Sequence, residues 1–238
     1  MKAQWSACPT CVYPFQTGDQ RDKSTIHSLI GLISSFRNLF YCFVIFLVSL
    51  PSNGFAEKRG VVAAGHELAA QAGINALDRG GNAVDAAVAI GLTLGVVDGF
   101  NSGIGGGCFM LIRTPRGELV ALDGRETAPE KAHRDMYLRD GQAVSGLSQK
   151  GALAVGVPGA LATFDTALRR YGKLELADLL LPAAEIAESG FPVNQTFYGR
   201  VASVVQTLRE FPDIQSVYLD AELNPFQVGD TFVQPQLA

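Results

Sequence analysis

Few side chains in this chain have the type and setting to do chemistry, and Arg125 is the foremost of them. It follows Gly124 at the end of the stretch Glu118 to Asp123 and precedes a loop fixed by Pro129. Glycine permits close backbone approach. A guanidinium beside it presents a planar fork that grips a carboxylate through two parallel hydrogen bonds. The same group could instead form a structural ion pair with Asp123, Glu126 or Asp135, and the residue types alone leave both readings open. Other candidates fail on spacing. His66-Glu67 begins like a zinc-binding HExxH helix, but Ala70 stands where the second histidine belongs. The histidines, at 27, 66 and 133, do not cluster, so no metal site is expected. Ser102 has Phe100 where a nucleophile elbow needs glycine. Gly103-Ile104-Gly105-Gly106-Gly107 suggests a phosphate cradle, yet it leads into a strand and lacks the GK[ST] ending. Tight packing is the better account of those glycines, and no cofactor is implied. Cys8-Pro-Thr-Cys11 has CxxC spacing without a second pair or nearby histidine to complete a zinc site.

The elements that would position Arg125 follow from capping signals and periodicity. Asn82 is placed as an N-cap, and Asp85 falls in the first turn, where a carboxylate favours the positive end of the helix dipole. From Ala83 to Val97 the residues are apolar on nearly every face, which predicts a buried helix too short to span a membrane. A polar, glycine-rich turn from Asp98 leads to a strand, Cys108 to Arg113, and Thr114-Pro115-Arg116-Gly117 connects it to a return strand, Glu118 to Asp123. Upstream, Gly60 to Ala64 is a strand candidate, and His66 to Arg79 has helical spacing ending at Gly80-Gly81. Downstream, a solvated stretch containing Arg134, Asp135 and Arg139 precedes a buried-strand candidate, Gly151 to Val157. Helices are predicted over Ala160 to Tyr171, Glu175 to Ser189 and Gln195 to Glu210, closed by Ser189-Gly190 and by Pro212. The chain then reads as loop, apart from a short strand at Thr231 to Val233.

Composition sets outer bounds. With 47% hydrophobic and 18% charged residues, the 238-residue chain has ample material for a globular core. Its net charge of −4 is uneven: residues 1–56 carry +2 and the remainder −6. An acidic body offers no footprint for DNA or RNA. Leu39 to Leu50 is a continuous apolar run of signal-peptide length, and Gly54-Phe55-Ala56 supplies small residues where a signal peptidase cuts. Residues 1–56 are therefore expected to be a polar leader plus signal peptide, with a retained signal anchor as the alternative. The body, residues 57–238, would then be periplasmic or secreted. With the leader removed only Cys108 remains, expected to act as a small buried hydrophobe.

Three motifs in order, GGNAVDAA from Gly80, GIGGGCFM from Gly103 and LDGRETAP from Leu122, resemble the N-terminal half of the γ-glutamyltranspeptidase family. The similarity runs from Gly60 to the last residue. It implies a Thr-dependent N-terminal-nucleophile hydrolase, made as a precursor that cuts itself into a large and a small subunit. The fold implied is an α/β (α+β) layered, incomplete αββα sandwich of that type, with residues 57–238 a partial large-subunit domain. The implied reaction is γ-glutamyl transfer from glutathione or another γ-glutamyl compound to water, an amino acid or a peptide. Its nucleophile would belong to the small subunit, the downstream half of the precursor. No catalytic residue is therefore assigned here, and the present chain alone is expected to be inactive. By the same resemblance Arg125 occupies the position that grips the donor's α-carboxylate, and Glu126 has a supporting role. Animal members are membrane-anchored by a retained signal. Cys108 departs from the fourth glycine common in the family, which suggests a packing variant. Two other functions are compatible with this reading: a related acylase with another amide substrate, and a non-catalytic periplasmic binding relative.

Overall fold

A computed structural model describes residues 60–238. The leader, the CxxC pair and the apolar run at 39–50 lie outside the described residues. Two capped helices open the fold. His66 caps α1 (Glu67–Asp78), its Nδ1 accepting the Leu68 N–H at 3.2 Å. At the other end Gly80, at φ +88°, and Gly81 donate to the carbonyls of Leu77 and Ala76, the Schellman arrangement that only glycine forms without strain. The next helix, α2 (Ala83–Val97), starts one residue later. Asn82 Oδ1 accepts the Val84 N–H at 2.7 Å, and Asp85 Oδ2 accepts the Asn82 N–H at 2.6 Å. Its residues are buried on several faces because α1 and α4 (Leu176–Ser189) both pack on it.

After the glycine turn comes an antiparallel hairpin, β1 (Cys108–Arg113) and β2 (Leu119–Gly124), registered Cys108 to Gly124 through Arg113 to Leu119. Its inner face, with Met110, Ile112, Val120 and Leu122, packs on Val84 of α2 and on Ala167 and Tyr171 of α3 (Ala160–Tyr171). Helices thus cover one side of the hairpin. The other side bears Phe109, Leu111 and Leu119, which are 70%, 72% and 69% exposed. Two further two-residue pairs occur among the described residues: a small hairpin of β3 (Leu138–Arg139) with β4 (Gln142–Ala143), and an antiparallel pairing of β5 (Phe191–Pro192) with the distant β6 (Thr231–Phe232). The second pair sets Phe191 and Phe232 into an aromatic cluster with Phe197 of α5 (Gln195–Leu208), at centroid separations of 4.8–5.7 Å. Gln234 ties the last residues to this core, donating from Nε2 to the Val96 carbonyl and from its N–H to Ala187.

Three expectations differ from this arrangement. Gly60 to Ala64 pairs with no strand among the described residues, and Val61 is almost wholly exposed. Gly151 to Val157 is not a buried strand. It forms a 3₁₀ turn over Ala152–Ala154, and Val157 alone makes a bridge, to Thr127. Leu153, Val155 and Val157 are exposed, so the apolar run reflects an uncovered edge and not a core. The stretch after Phe211 contains a further helix, α6 (Pro212–Tyr218). Pro212 begins that helix, in the first turn where its missing N–H costs nothing. Among the described residues no helix is long and apolar enough to cross a membrane.

Candidate functional site

Arg125 lies at the end of β2, where the hairpin, the glycine turn and the start of α3 converge. The convergence is made by glycines. A Cβ on Gly124 would collide with Thr163, and one on Gly159 with the Gly124 carbonyl. The Gly106 carbonyl accepts the N–H groups of Gly159 and Ala160, both at 3.1 Å, so the turn caps α3. Of the GIGGG run, for which tight packing beside α2 was expected, only Gly107 is closely hemmed, by Glu126 and the Gly124 carbonyl at 2.6 Å and not by α2, and a Cβ on Gly105 would meet nothing within 4 Å. Beyond Arg125 the chain is held by Thr127, which exchanges two backbone hydrogen bonds with Val157.

Arg125 donates its N–H to Asp123 Oδ1 at 2.9 Å, which fixes the turn out of β2. Its side chain is 70% exposed, and Nε stands 3.5 Å from Glu126 Oε2. Of the three ion-pair partners considered from the sequence, Glu126 is the one the side chain meets. Asp123 serves the backbone instead, and Asp135 pairs loosely with Arg134. Glu126 points inward beneath the turn, and its Oε2 is shielded from solvent with no hydrogen-bond donor. Both residues border a cleft of about 820 Å3 between α2, the turn and β1. Ile90, Leu94, Phe100 and Phe164 give it an apolar wall, and Gly105 to Gly107 give it an edge of bare backbone. An exposed guanidinium at the rim of such a cleft can anchor the charged end of a small carboxylate ligand.

The remaining candidates have other roles. His66 caps α1 and meets the Phe191 ring edge-on, its Nδ1 occupied as an acceptor. Cys108 is half-buried, and burial pushes its thiol pKa up, with the Glu126 charge adding to the rise and a Thr163 hydrogen bond opposing it. Among the described residues no three His, Cys, Asp or Glu side chains gather to hold a metal ion. Two features of the site were not foreseen: the shielding of Glu126 Oε2 from solvent, and which residues Gly124 and Gly159 meet more than thirty positions away.

The gamma-glutamyltranspeptidase family model matches residues 69–238, more than half of the chain. The chain belongs to the γ-glutamyltranspeptidase family. It is 41% identical over 182 residues to the glutathione hydrolase proenzyme of Escherichia coli, a match covering 76% of this chain and 31% of that protein. Among solved structures it superposes on Helicobacter pylori γ-glutamyltranspeptidase with a TM-score of 0.72 at 39% identity, over 75% of this chain and 51% of that one. A cephalosporin acylase from Bacillus halodurans is similar at 28% identity and TM-score 0.61, over 78% of this chain and 36% of that one. The chain spans roughly a third of the length of the curated relatives it matches. Its helices and hairpin are thus an α+β portion of the N-terminal-nucleophile hydrolase fold that γ-glutamyltranspeptidases share.

Proposed function

We propose that this chain forms part of the large subunit of a γ-glutamyltransferase and glutathione hydrolase, and that Arg125 anchors the α-carboxylate of the γ-glutamyl donor. The observation that carries the reading is the exposed Arg125 guanidinium at the rim of the glycine-edged cleft. The family's chemistry is acyl transfer: a Thr hydroxyl attacks the γ-carbonyl with its own α-amine as base, and water or an amine then takes the acyl group. The present residues contribute the carboxylate anchor and scaffold to that reaction, and the Thr belongs to the small subunit. The apolar outer face of the hairpin is the surface that this second half covers.

The coding sequence beyond Ala238 is the first test: an in-frame continuation with an internal Thr cleavage site is expected. The second uses the processed product of that gene. A two-pronged, charge-assisted contact contributes about 1.5–3 kcal/mol, and the donor's carboxylate is present before and during reaction alike. Loss of such uniform binding raises KM and leaves kcat. Arg125→Lys keeps the charge but loses the fork, so donor KM should rise roughly tenfold while acceptor KM and subunit processing stay unchanged. An unaltered donor KM in correctly processed Arg125→Lys would end this reading. The similarity to the cephalosporin acylase supports a second reading, an amide acylase with a different carboxylate at Arg125. Turnover of a γ-glutamyl anilide against a glutaryl anilide separates the two.

A further inference from the structure

Phe100 stands in the apolar wall of the cleft and is half-buried. Its ring meets Phe197 edge-on, with centroids 6.1 Å apart, which joins it to the aromatic core. The guanidinium carbon of Arg200, on α5, lies over the same ring at 5.9 Å from its centroid. A guanidinium over an aromatic face is attracted by the ring and restricted in orientation, while its N–H donors stay available to a carboxylate. Those donors are unused here. Arg200 is exposed, and among the described residues its guanidinium pairs with no carboxylate. Asp98, the acid of the adjoining glycine turn, accepts from Asn101 Nδ2 instead, at 3.2 Å. The surface of α5 next to Arg200 is open, since a Cβ on Gly199 would meet nothing within 4 Å.

We propose that Arg200 is a second carboxylate-binding residue, which takes the far end of a γ-glutamyl donor whose leaving group ends in a free carboxylate. The inference rests on Arg125 holding the donor's α-carboxylate. Glutathione has carboxylates at both ends, roughly 10 Å apart when its residues are extended, so one arginine does not hold both. The cleft of about 820 Å3 is in the range that takes a whole small ligand. Arg125 and Arg200 reach it from different elements, the end of β2 and α5. Held over Phe100 before the ligand arrives, the Arg200 guanidinium loses less freedom on binding. Its effect is selective: it favours peptide leaving groups with a free C-terminal carboxylate over amides and anilides of the same γ-glutamyl group.

The test uses the processed full-length protein and two donors, glutathione and glutathione amidated at its glycyl carboxylate, with Arg200→Gln and Arg125→Lys. The wild-type protein should show a KM for glutathione about fivefold below that for the amide, the scale of an exposed ion pair. Arg200→Gln should raise KM for glutathione to the value for the amide, with the amide's KM, kcat and the melting temperature unchanged. If Arg200→Gln changes neither KM, the inference fails, and a rise with both donors in Arg125→Lys leaves the anchor reading standing. An equal rise with both donors in Arg200→Gln would show that it acts through Phe100 or the fold and would overturn the inference. If Arg125→Lys leaves KM unchanged for both donors, or the gene product transfers no γ-glutamyl group, the anchor reading fails and takes the inference with it. Should Arg200→Gln not mature, Arg200→Met keeps the apolar stem and provides the same comparison. Failure of both to mature assigns Arg200 to folding and also overturns it.

Discussion

At the scale of single residues, Cys108 shows how the site treats charge. It lies between the glycine run and Phe109, and desolvation is the main reason its thiol holds its proton above the ordinary thiol range. The thiolate is the reactive form, so Cys108 should alkylate slowly at pH 7–8 and faster only as pH passes the ordinary thiol pKa. Because the Glu126 charge adds to the shift, Glu126→Gln should accelerate the reaction at a fixed pH. Timed iodoacetamide labelling with mapping of the Cys108 peptide checks both statements. A rate at pH 8 equal to that of the unfolded chain would refute them. The place of Arg125 directly after a strand was legible in the sequence, whereas the choice between a carboxylate anchor and an ion pair rested on the family resemblance. The inward turn of Glu126 was not legible, since Gly106, Gly107 and Gly156 surround it only once the chain has folded. Cys108 is half-buried, not the buried hydrophobe that its isolation suggested.

At the scale of elements, capping signals carried most of the reading. Asn82 and Asp85 place the start of α2 as expected, and α3 spans Ala160–Tyr171 as its periodicity requires. What local pattern could not supply is the second role of Asp85. Its carboxylate is fully buried and also accepts the N–H groups of Lys173 and Leu174, so one side chain joins the start of α2 to the turn between α3 and α4. Magnitudes separate the two roles. A carboxylate acting only on a helix dipole contributes about 0.3–1 kcal/mol. Removing one that satisfies three backbone donors away from water costs about 3 kcal/mol or more. Asp85→Ala should therefore lower the urea midpoint by the larger amount with an unchanged m-value, and a loss under about 1 kcal/mol would reduce Asp85 to its dipole role. Two of the strand expectations failed for the complementary reason, while those at Cys108, Glu118 and Thr231 held. Gly60 to Ala64 and Gly151 to Val157 have strand-like composition, but pairing is decided by what lies alongside, which composition does not encode.

For the whole molecule, the outer face of the β1–β2 hairpin decides how the chain behaves alone and in company. Phe109, Leu111 and Leu119 form an apolar patch on a surface whose opposite side is already packed on helices. Such patches drive association when uncovered. Residues 57–238 by themselves should accordingly self-associate, bind a hydrophobic dye and turn over no γ-glutamyl anilide. Leu111→Thr with Leu119→Thr removes apolar surface while keeping residues that suit a strand. In the isolated residues this pair should reduce dye binding and self-association without unfolding the hairpin. In the two-subunit protein proposed above, where a second half covers this face, the same substitutions should act in the opposite direction. Each would then uncouple a buried leucine from the second half, at a cost of about 2 kcal/mol per side chain. Melting temperature of the assembled enzyme and sedimentation of the isolated residues supply the two readings. The opposite signs are the informative part, because a surface patch with no partner predicts improvement in both settings. An assembled enzyme whose melting temperature does not fall would show that the second half leaves this face bare.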